Sequence, residues 1–196
     1  MSKIKKIFLI VLVTIGLTSC DILQQMSQMA NFAKCTFDFN SVNSVEMLGL
    51  NLRKGMTKSD LNVNQAIALT RALVNKSLPV TFNVNLDVTN PNSTPASMVK
   101  MDYMVSLNDK QVVNTTLNNT INVPAYGSNV ITIPITTDLF QVFTNETGTA
   151  IANLAFKLAG ASSDPVNVGI QLKPYINVGT QQLAYPDFIT LNKVLQ

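Results

Sequence analysis

Ser97 and Lys100 have the spacing of a serine nucleophile and a lysine base. On a helix, positions three apart share a face, so the hydroxyl and the amine of such a pair would meet. Here the neighbouring residues alternate between apolar and polar, which predicts a strand. A strand directs positions three apart to opposite faces, so we expect no acyl chemistry at this pair.

The composition limits other chemistry. The 196 residues contain no His, which excludes His-based triads, His-ligated metals and the usual general base. The sequence also has no phosphate-binding loop, no nucleophile elbow and no Cys/His ligand pair. We therefore expect a protein that is not an enzyme and that holds no metal and no cofactor.

Cys20 is the residue whose thiol is expected to react. Three lysines precede an apolar run, residues 7–17, that is shorter than the ~20 residues a membrane-spanning helix needs. A basic start followed by a short apolar core is typical of a cleaved secretory signal peptide. The run ends in Leu17-Thr18-Ser19-Cys20, which resembles the bacterial lipobox, and the resemblance implies a lipid such as palmitate on Cys20. The alternative is an ordinary signal peptide with a cysteine at this position by chance.

This interpretation divides the chain into three parts. Residues 1–19 would be the signal peptide, 20–34 a lipidated membrane-proximal tether, and 35–196 a single domain. Two or more acyl chains hold a protein stably on a bilayer, so we expect attachment to a bacterial membrane with the domain facing the periplasm.

Net charge argues against a nucleic-acid partner. The whole chain has 14 Lys plus Arg and 11 Asp plus Glu, and removal of the three signal-peptide lysines leaves 11 of each sign. Nucleic-acid binding needs clustered cations to displace counterions from phosphates.

Cys35 would be an unpaired thiol once Cys20 carries lipid, because the chain has 2 cysteines. Two interpretations remain open: a buried small side chain at the start of a strand, or a reactive thiol.

A helix is predicted at about residues 60–76, between Asp60 and Pro79. Val63, Ile67, Thr70 and Val74 form one stripe at helical spacing, and the sequence favours core packing for it.

The remainder of the domain predicts strands. Apolar residues alternate from Val80 to Val88, and the pattern stops at Asn90-Pro91-Asn92, a strand terminator. Similar segments follow as far as Leu191, and Leu154 to Leu158 is also interpreted as a strand. Many short strands with one apolar face favour an antiparallel β-sandwich with one added N-terminal helix.

The ordered set of a strand, Asn-Pro-Asn, a hairpin and "VPAYGSNVITIPIT" resembles the type-2 late embryogenesis abundant family, also called the water-stress and hypersensitive-response domain. The strongest match covers residues 80–138. The resemblance implies an immunoglobulin-like or fibronectin-III-like sandwich, no catalytic centre and a role in water stress or desiccation. Bacterial members are commonly exported lipoproteins.

Two functions follow as hypotheses. The first is a non-catalytic, lipid-anchored binding or stabilising module of the cell envelope, partnered by an envelope protein or by an apolar or amphipathic ligand. Such a ligand would lie in a seam between the helix and a sheet, although the same side chains could simply fill it; they are Ile67, Leu69, Leu73 and Val74. The second is a structural or adhesive subunit that assembles by strand exchange after processing at Arg53 or Lys54.

Overall fold

The computed structural model of the protein describes Ser27 and residues 30–161, 164–178 and 180–195. In this part of the chain the strands are β1 (Thr36–Met47), β2 (Leu50–Asn51), β3 (Pro79–Thr89), β4 (Ala96–Met98), β5 (Lys100–Leu107), β6 (Lys110–Leu117), β7 (Ile121–Val123), β8 (Ser128–Asp138), β9 (Val166–Val178), β10 (Gln181–Ala184) and β11 (Ile189–Leu195). The helices are α1 (Val63–Val74), α2 (Leu139–Val142) and α3 (Gly148–Leu158), and a 3-10 turn spans Lys58–Asp60.

The strands form antiparallel sheets. One sheet has the order β2-β1-β3-β8, and a second has β9, β5 and β6 side by side. The other edge of β9 pairs with two strands that lie end to end. β11 pairs with its first half, and β10 pairs with its last residues. A small third sheet joins β4 to β7. The predicted class, mainly β with antiparallel sheets, is confirmed.

The two large sheets share one hydrophobic core. The alternation from Val80 to Val88 is confirmed, since its apolar members are almost completely buried. They join inward residues of β5 such as Met101 and Val105 in the same cluster. Across this core the Tyr103 hydroxyl of β5 donates to the Pro134 carbonyl of β8 at 2.9 Å, which ties the sheets together.

Helix α1 confirms the predicted helix with slightly narrower bounds. Asn62 caps it: its side chain accepts from the Gln65 backbone N–H, and the Gln65 side chain accepts from the Asn62 backbone N–H. This reciprocal arrangement fixes where the helix begins.

The strand predicted over Leu154 to Leu158 is wrong, because these residues form the last turns of α3. The Thr147 hydroxyl accepts from the Ala150 N–H and starts the helix. Its buried side chains include a set at helical spacing: Ile151, Leu154, Ala155 and Leu158. Among the described residues of the domain, two helices are longer than ten residues, α1 and α3, where the sequence predicted one.

The packed domain begins before Cys35. Residues 30–33 are helical, Phe32 is 2% exposed, and its ring meets Phe37 edge-on at 5.5 Å. The Asn92 side chain donates to the Asn31 carbonyl at 3.0 Å, and the Asn31 side chain donates to the Thr94 hydroxyl. Residues 30–34, assigned to the tether from the sequence, are therefore held against the domain. The predicted signal peptide and Cys20 lie outside the described residues.

Candidate functional site

The four residues predicted to line an apolar seam do not converge. Leu69 is 6% exposed and packs in the core, and Leu73 is half-buried beside Gly148 at the start of α3. Ile67 is 51% exposed and Val74 is 76% exposed. The prediction that Ile67 and Val74 line a seam is therefore wrong. Leu69 and Leu73 do point inward, and they pack against neighbouring residues of the fold.

The outward side of α1 explains this error. Successive helical residues are 100° apart, and at that spacing the apolar residues of α1 fall on two different sides of the helix. Leu69, Ala72 and Leu73 lie on the covered side, whereas the stripe expected in the core is exposed to solvent. Its members are Val63, Ile67, Thr70 and Val74.

Three clefts border α3. A cleft of about 230 Å³ separates α3 from the β5–β6 hairpin, with Ile151 and Asn108 on its walls. A second cleft of about 350 Å³ lies between α3 and β1, and a third of about 330 Å³ borders the 3-10 turn. The first volume lies below the roughly 300–1,000 Å³ of small-molecule sites and the other two lie at the lower end of that range, and their walls mix polar and apolar groups.

Lys157 borders all three clefts. Its Nζ lies 3.0 Å from the Asp164 carboxylate, whose side chain is mostly exposed. An ion pair with a largely exposed partner contributes little to stability, so Asp164 fixes the position of Lys157 only weakly. These clefts thus combine one paired cation with walls of mixed polar and apolar character.

A polar cluster on the outer face of the second sheet is centred on Asp102. Thr116 and Tyr175 each donate a hydroxyl to this carboxylate at 2.6 Å. Burial raises the pKa of Asp102, but these hydrogen bonds and the charges of Lys100 and Lys173 outweigh burial and hold it below its usual value. The hydrogen bond to Asp102 raises the pKa of the Tyr175 hydroxyl.

Ser97 and Lys100 do not form a catalytic pair. Ser97 belongs to β4 and Lys100 begins β5 in another sheet. The Lys100 ammonium lies 4.1 Å from the centre of the Tyr175 ring, a cation–π contact. Across the described ranges, no cluster of three His, Cys, Asp or Glu residues could hold a metal ion.

Cys35 is buried, and burial raises the pKa of its thiol to about 11. The thiol donates to the Asn31 carbonyl at 3.4 Å. Because the thiolate is the reactive form, the buried interpretation is confirmed and the reactive one is not supported.

Asn90 does more than terminate a strand. It is fully buried, and its side-chain nitrogen lies within hydrogen-bond distance of three carbonyls, those of Thr94, Val123 and Pro124, at 3.0, 3.2 and 3.0 Å. Its side-chain oxygen accepts from Asn92. The sequence indicated a turn here but could not reveal this junction, because two of the acceptors lie more than thirty residues away.

Within the described part of the chain, no helix combines the length and the apolar character that a membrane crossing requires.

The antiparallel sheets and the shared core define a mainly β class of protein. A sequence profile of the family described as "Late embryogenesis abundant protein", LEA_2, matches residues 85–183, just over half of the chain. The chain belongs to this family, which is generally non-enzymatic.

Three solved structures also align with the chain. A crystal structure of a protein from Archaeoglobus fulgidus is 12% identical with a TM-score of 0.35, and the match covers 79% of this chain and 95% of that one. A solution structure from Arabidopsis thaliana is 12% identical with a TM-score of 0.42, covering 63% and 73%. A solution structure described as a late embryogenesis abundant protein is 10% identical with a TM-score of 0.39, covering 97% and 86%. No curated protein matches the chain.

Proposed function

We propose that this protein is a non-catalytic module of the bacterial cell envelope, anchored by lipid on Cys20, that binds or stabilises other molecules under water stress. The family match over residues 85–183 carries the proposal. The sequence before residue 20 supports the anchor and a periplasm-facing domain.

The finer architecture belongs to the same proposal. Two antiparallel sheets around one core, with Tyr103 bridging them, support an immunoglobulin-like or fibronectin-III-like sandwich. Helices α1 and α3 would then be additions at one end of that sandwich.

The position of residues 30–34 supports a fixed orientation. These residues pack where β1 begins and β3 ends, since Thr36 pairs with Thr89. Helix α1 leads into the other end of β3 at Pro79, and its Leu73 lies beside the first residue of α3. The clefts around α3 would therefore face away from the membrane, where an envelope protein or an amphipathic molecule can reach them.

Replacement of Cys20 tests the anchor. We expect the wild-type protein in the membrane fraction and the Cys20→Ala variant in the soluble fraction. Cys35→Ala is the matched control, because it removes a buried thiol and should leave the protein on the membrane. A Cys20→Ala variant that still sediments with membranes contradicts the anchor.

The stabilising role has a separate test. In the native host, loss of the protein should lower survival after drying, and expression of the wild-type chain should restore it. Equal survival of the strains with and without the protein contradicts the role in water stress and leaves the anchor unaffected.

A second candidate, assembly by strand exchange, rests on the placement of Arg53 and Lys54. Both are exposed and follow β2, so cleavage there would separate β1 and β2 from the domain. Loss of β1 would open the pairing edge of β3 to a strand from another copy. This candidate predicts an SDS-resistant ladder on gels and a processed N-terminus, both abolished by the double change Arg53→Ala and Lys54→Ala. An intact, monomeric native protein contradicts it.

A further inference from the structure

Tyr126 lies in the turn between β7 and β8 and is 75% exposed. Its backbone has a φ of 53°, in the left-handed region that favours glycine and disfavours a residue with a large side chain. Leu48 has a similar φ, but its side chain packs against the core. The fold therefore holds the aromatic side chain of Tyr126 in solvent at a strained position, and strain of this kind points to a function of the side chain.

The turn of Tyr126 lies beside the segment that leads back to Cys20. The Tyr126 N–H donates to the Asn92 carbonyl at 3.0 Å, and the Asn92 side chain donates to the Asn31 carbonyl at 3.0 Å. Residues 30–36, 90–95 and 124–128 thus form one end of the domain, here named the anchor end. From residue 30 back to Cys20 the chain reaches at most ~35 Å.

The composition of the anchor end suits a lipid headgroup layer. Its three segments contain no Asp and no Glu, and their charged residue is Lys34, which is exposed and complements anionic phosphates. Three exposed prolines add apolar surface near Tyr126; they are Pro91, Pro95 and Pro124. Tyrosine is enriched at membrane interfaces because its ring is apolar and its hydroxyl stays hydrated.

The opposite end of the domain has a different charge character. Asp109, Glu146 and Asp164 are exposed around α3, where anionic headgroups would repel them. Of the two ends, the anchor end therefore has the chemistry that fits a bilayer.

We propose that the anchor end rests on the bilayer and that the ring of Tyr126 enters the lipid headgroup layer. This inference rests on the proposed lipid anchor, because one tyrosine and one lysine are too few to hold the domain on a membrane by themselves. Lipid on Cys20 keeps the anchor end close to the bilayer, which raises the effective concentration of membrane surface for Tyr126. The contact fixes the domain upright, with α1 and α3 away from the lipid.

A single introduced Trp tests the contact, because the chain contains no Trp of its own. Ser93 is exposed at the anchor end, so Ser93→Trp reports on this surface while Tyr126 is kept. In vesicles of phosphatidylcholine and phosphatidylglycerol, the lipidated Ser93→Trp chain should be quenched severalfold less by acrylamide than its soluble Cys20→Ala form. Val63→Trp, at the opposite end, is the matched control and should be quenched equally in both forms.

Flotation of the vesicles separates this inference from the anchor. A chain that does not float with the vesicles overturns the anchor and the contact of Tyr126 with it. A chain that floats, but whose Ser93→Trp reporter is quenched as strongly as in solution, overturns the contact alone.

Tyr126→Gly tests the ring itself. Glycine accepts a positive φ without strain, so the variant should keep the urea midpoint of the wild type. In the lipidated Ser93→Trp chain it should restore quenching towards the level found in solution, whereas Tyr126→Phe keeps the ring and should stay shielded. Full shielding in Tyr126→Gly, or a clearly lower urea midpoint, overturns the role of Tyr126, since the ring would then serve the fold or nothing at all.

Discussion

Asn90 acts at the scale of a single residue by joining three separate segments of backbone. Its side-chain nitrogen contacts the carbonyls of Val123 and Pro124, and also the carbonyl of Thr94 in the loop that follows β3. The Asn90 backbone N–H donates to the Gly127 carbonyl at 2.8 Å, so the same residue also closes that turn. Buried polar groups that satisfy one another in this way hold loops in a single arrangement.

Asn90→Ala should lower the free energy of unfolding by about 3 kcal/mol, because buried carbonyls are left without donors. Urea denaturation followed by circular dichroism measures the change. Asn83→Ala, on the outer face of β3, is the control and should change stability by less than about 0.5 kcal/mol. Equal effects of the two substitutions would show that the hydrogen bonds of Asn90 do not contribute to the free energy of unfolding.

Asp102 should make stability depend on pH in the acid range. Its pKa is lowered in the folded protein, so it contributes stability above its unfolded pKa of about 3.9. That contribution is lost as the pH falls through the lower, folded pKa. Removal of one donor in Tyr175→Phe should raise the pKa of Asp102 towards its usual value.

Carbon-detected NMR of the Asp102 carboxyl measures this titration directly. The control is Tyr126→Phe, which removes a hydroxyl from an exposed turn and should leave the titration of Asp102 unchanged. An unchanged midpoint in Tyr175→Phe would mean that the hydroxyl of Tyr175 does not stabilise the carboxylate.

At the scale of the element, the free edge of β8 is protected by a proline. β8 ends its sheet, and Pro134 pairs with Asn83 of β3. Proline has no N–H to offer to an added strand, and the Pro134 carbonyl already accepts from Tyr103. The irregular pairing of β1 near Ser44 similarly interrupts the opposite side of this sheet.

Pro134→Val should therefore increase association through the β8 edge, because it restores a backbone donor there. Light scattering during incubation at high protein concentration measures the effect. Thr136→Val adds an apolar side chain to the same strand without changing the backbone donors, and it should scatter less than Pro134→Val. Equal scattering by both variants would assign the association to side-chain apolarity rather than to the strand edge.

The elements also show what the sequence could predict and why it failed elsewhere. The alternation from Val80 to Val88 and the helix at about residues 60–76 follow from local patterns, and both predictions were confirmed. The segment Leu154 to Leu158 was too short to distinguish a strand from a helix by its pattern. The exposed stripe of α1 was missed because the sequence does not reveal which of two apolar sides a helix buries.

At the scale of the whole molecule, the boundary of the domain lies nearer the N-terminus than Cys35. A chain that begins at residue 30 should match the stability of the mature protein, whereas one that begins at Cys35 loses the contacts of Phe32. The loss is expected to be on the order of the ~3–5 kcal/mol found for removal of a buried Phe side chain. The urea midpoints of the two truncated chains measure this loss of stability. Equal midpoints would show that the stable domain begins at Cys35.

The attachment of residues 30–34 to the loop after β3 limits the height of the protein above a membrane. With lipid on Cys20, ten residues remain before residue 30, and that length of chain reaches at most ~35 Å. The 11 residues of β3 span a further ~36 Å. Every copy would then present α1 within the same thin layer, about 70 Å deep at most. Diffusion of these copies is two-dimensional, which raises the effective concentration of one copy for the next at this height.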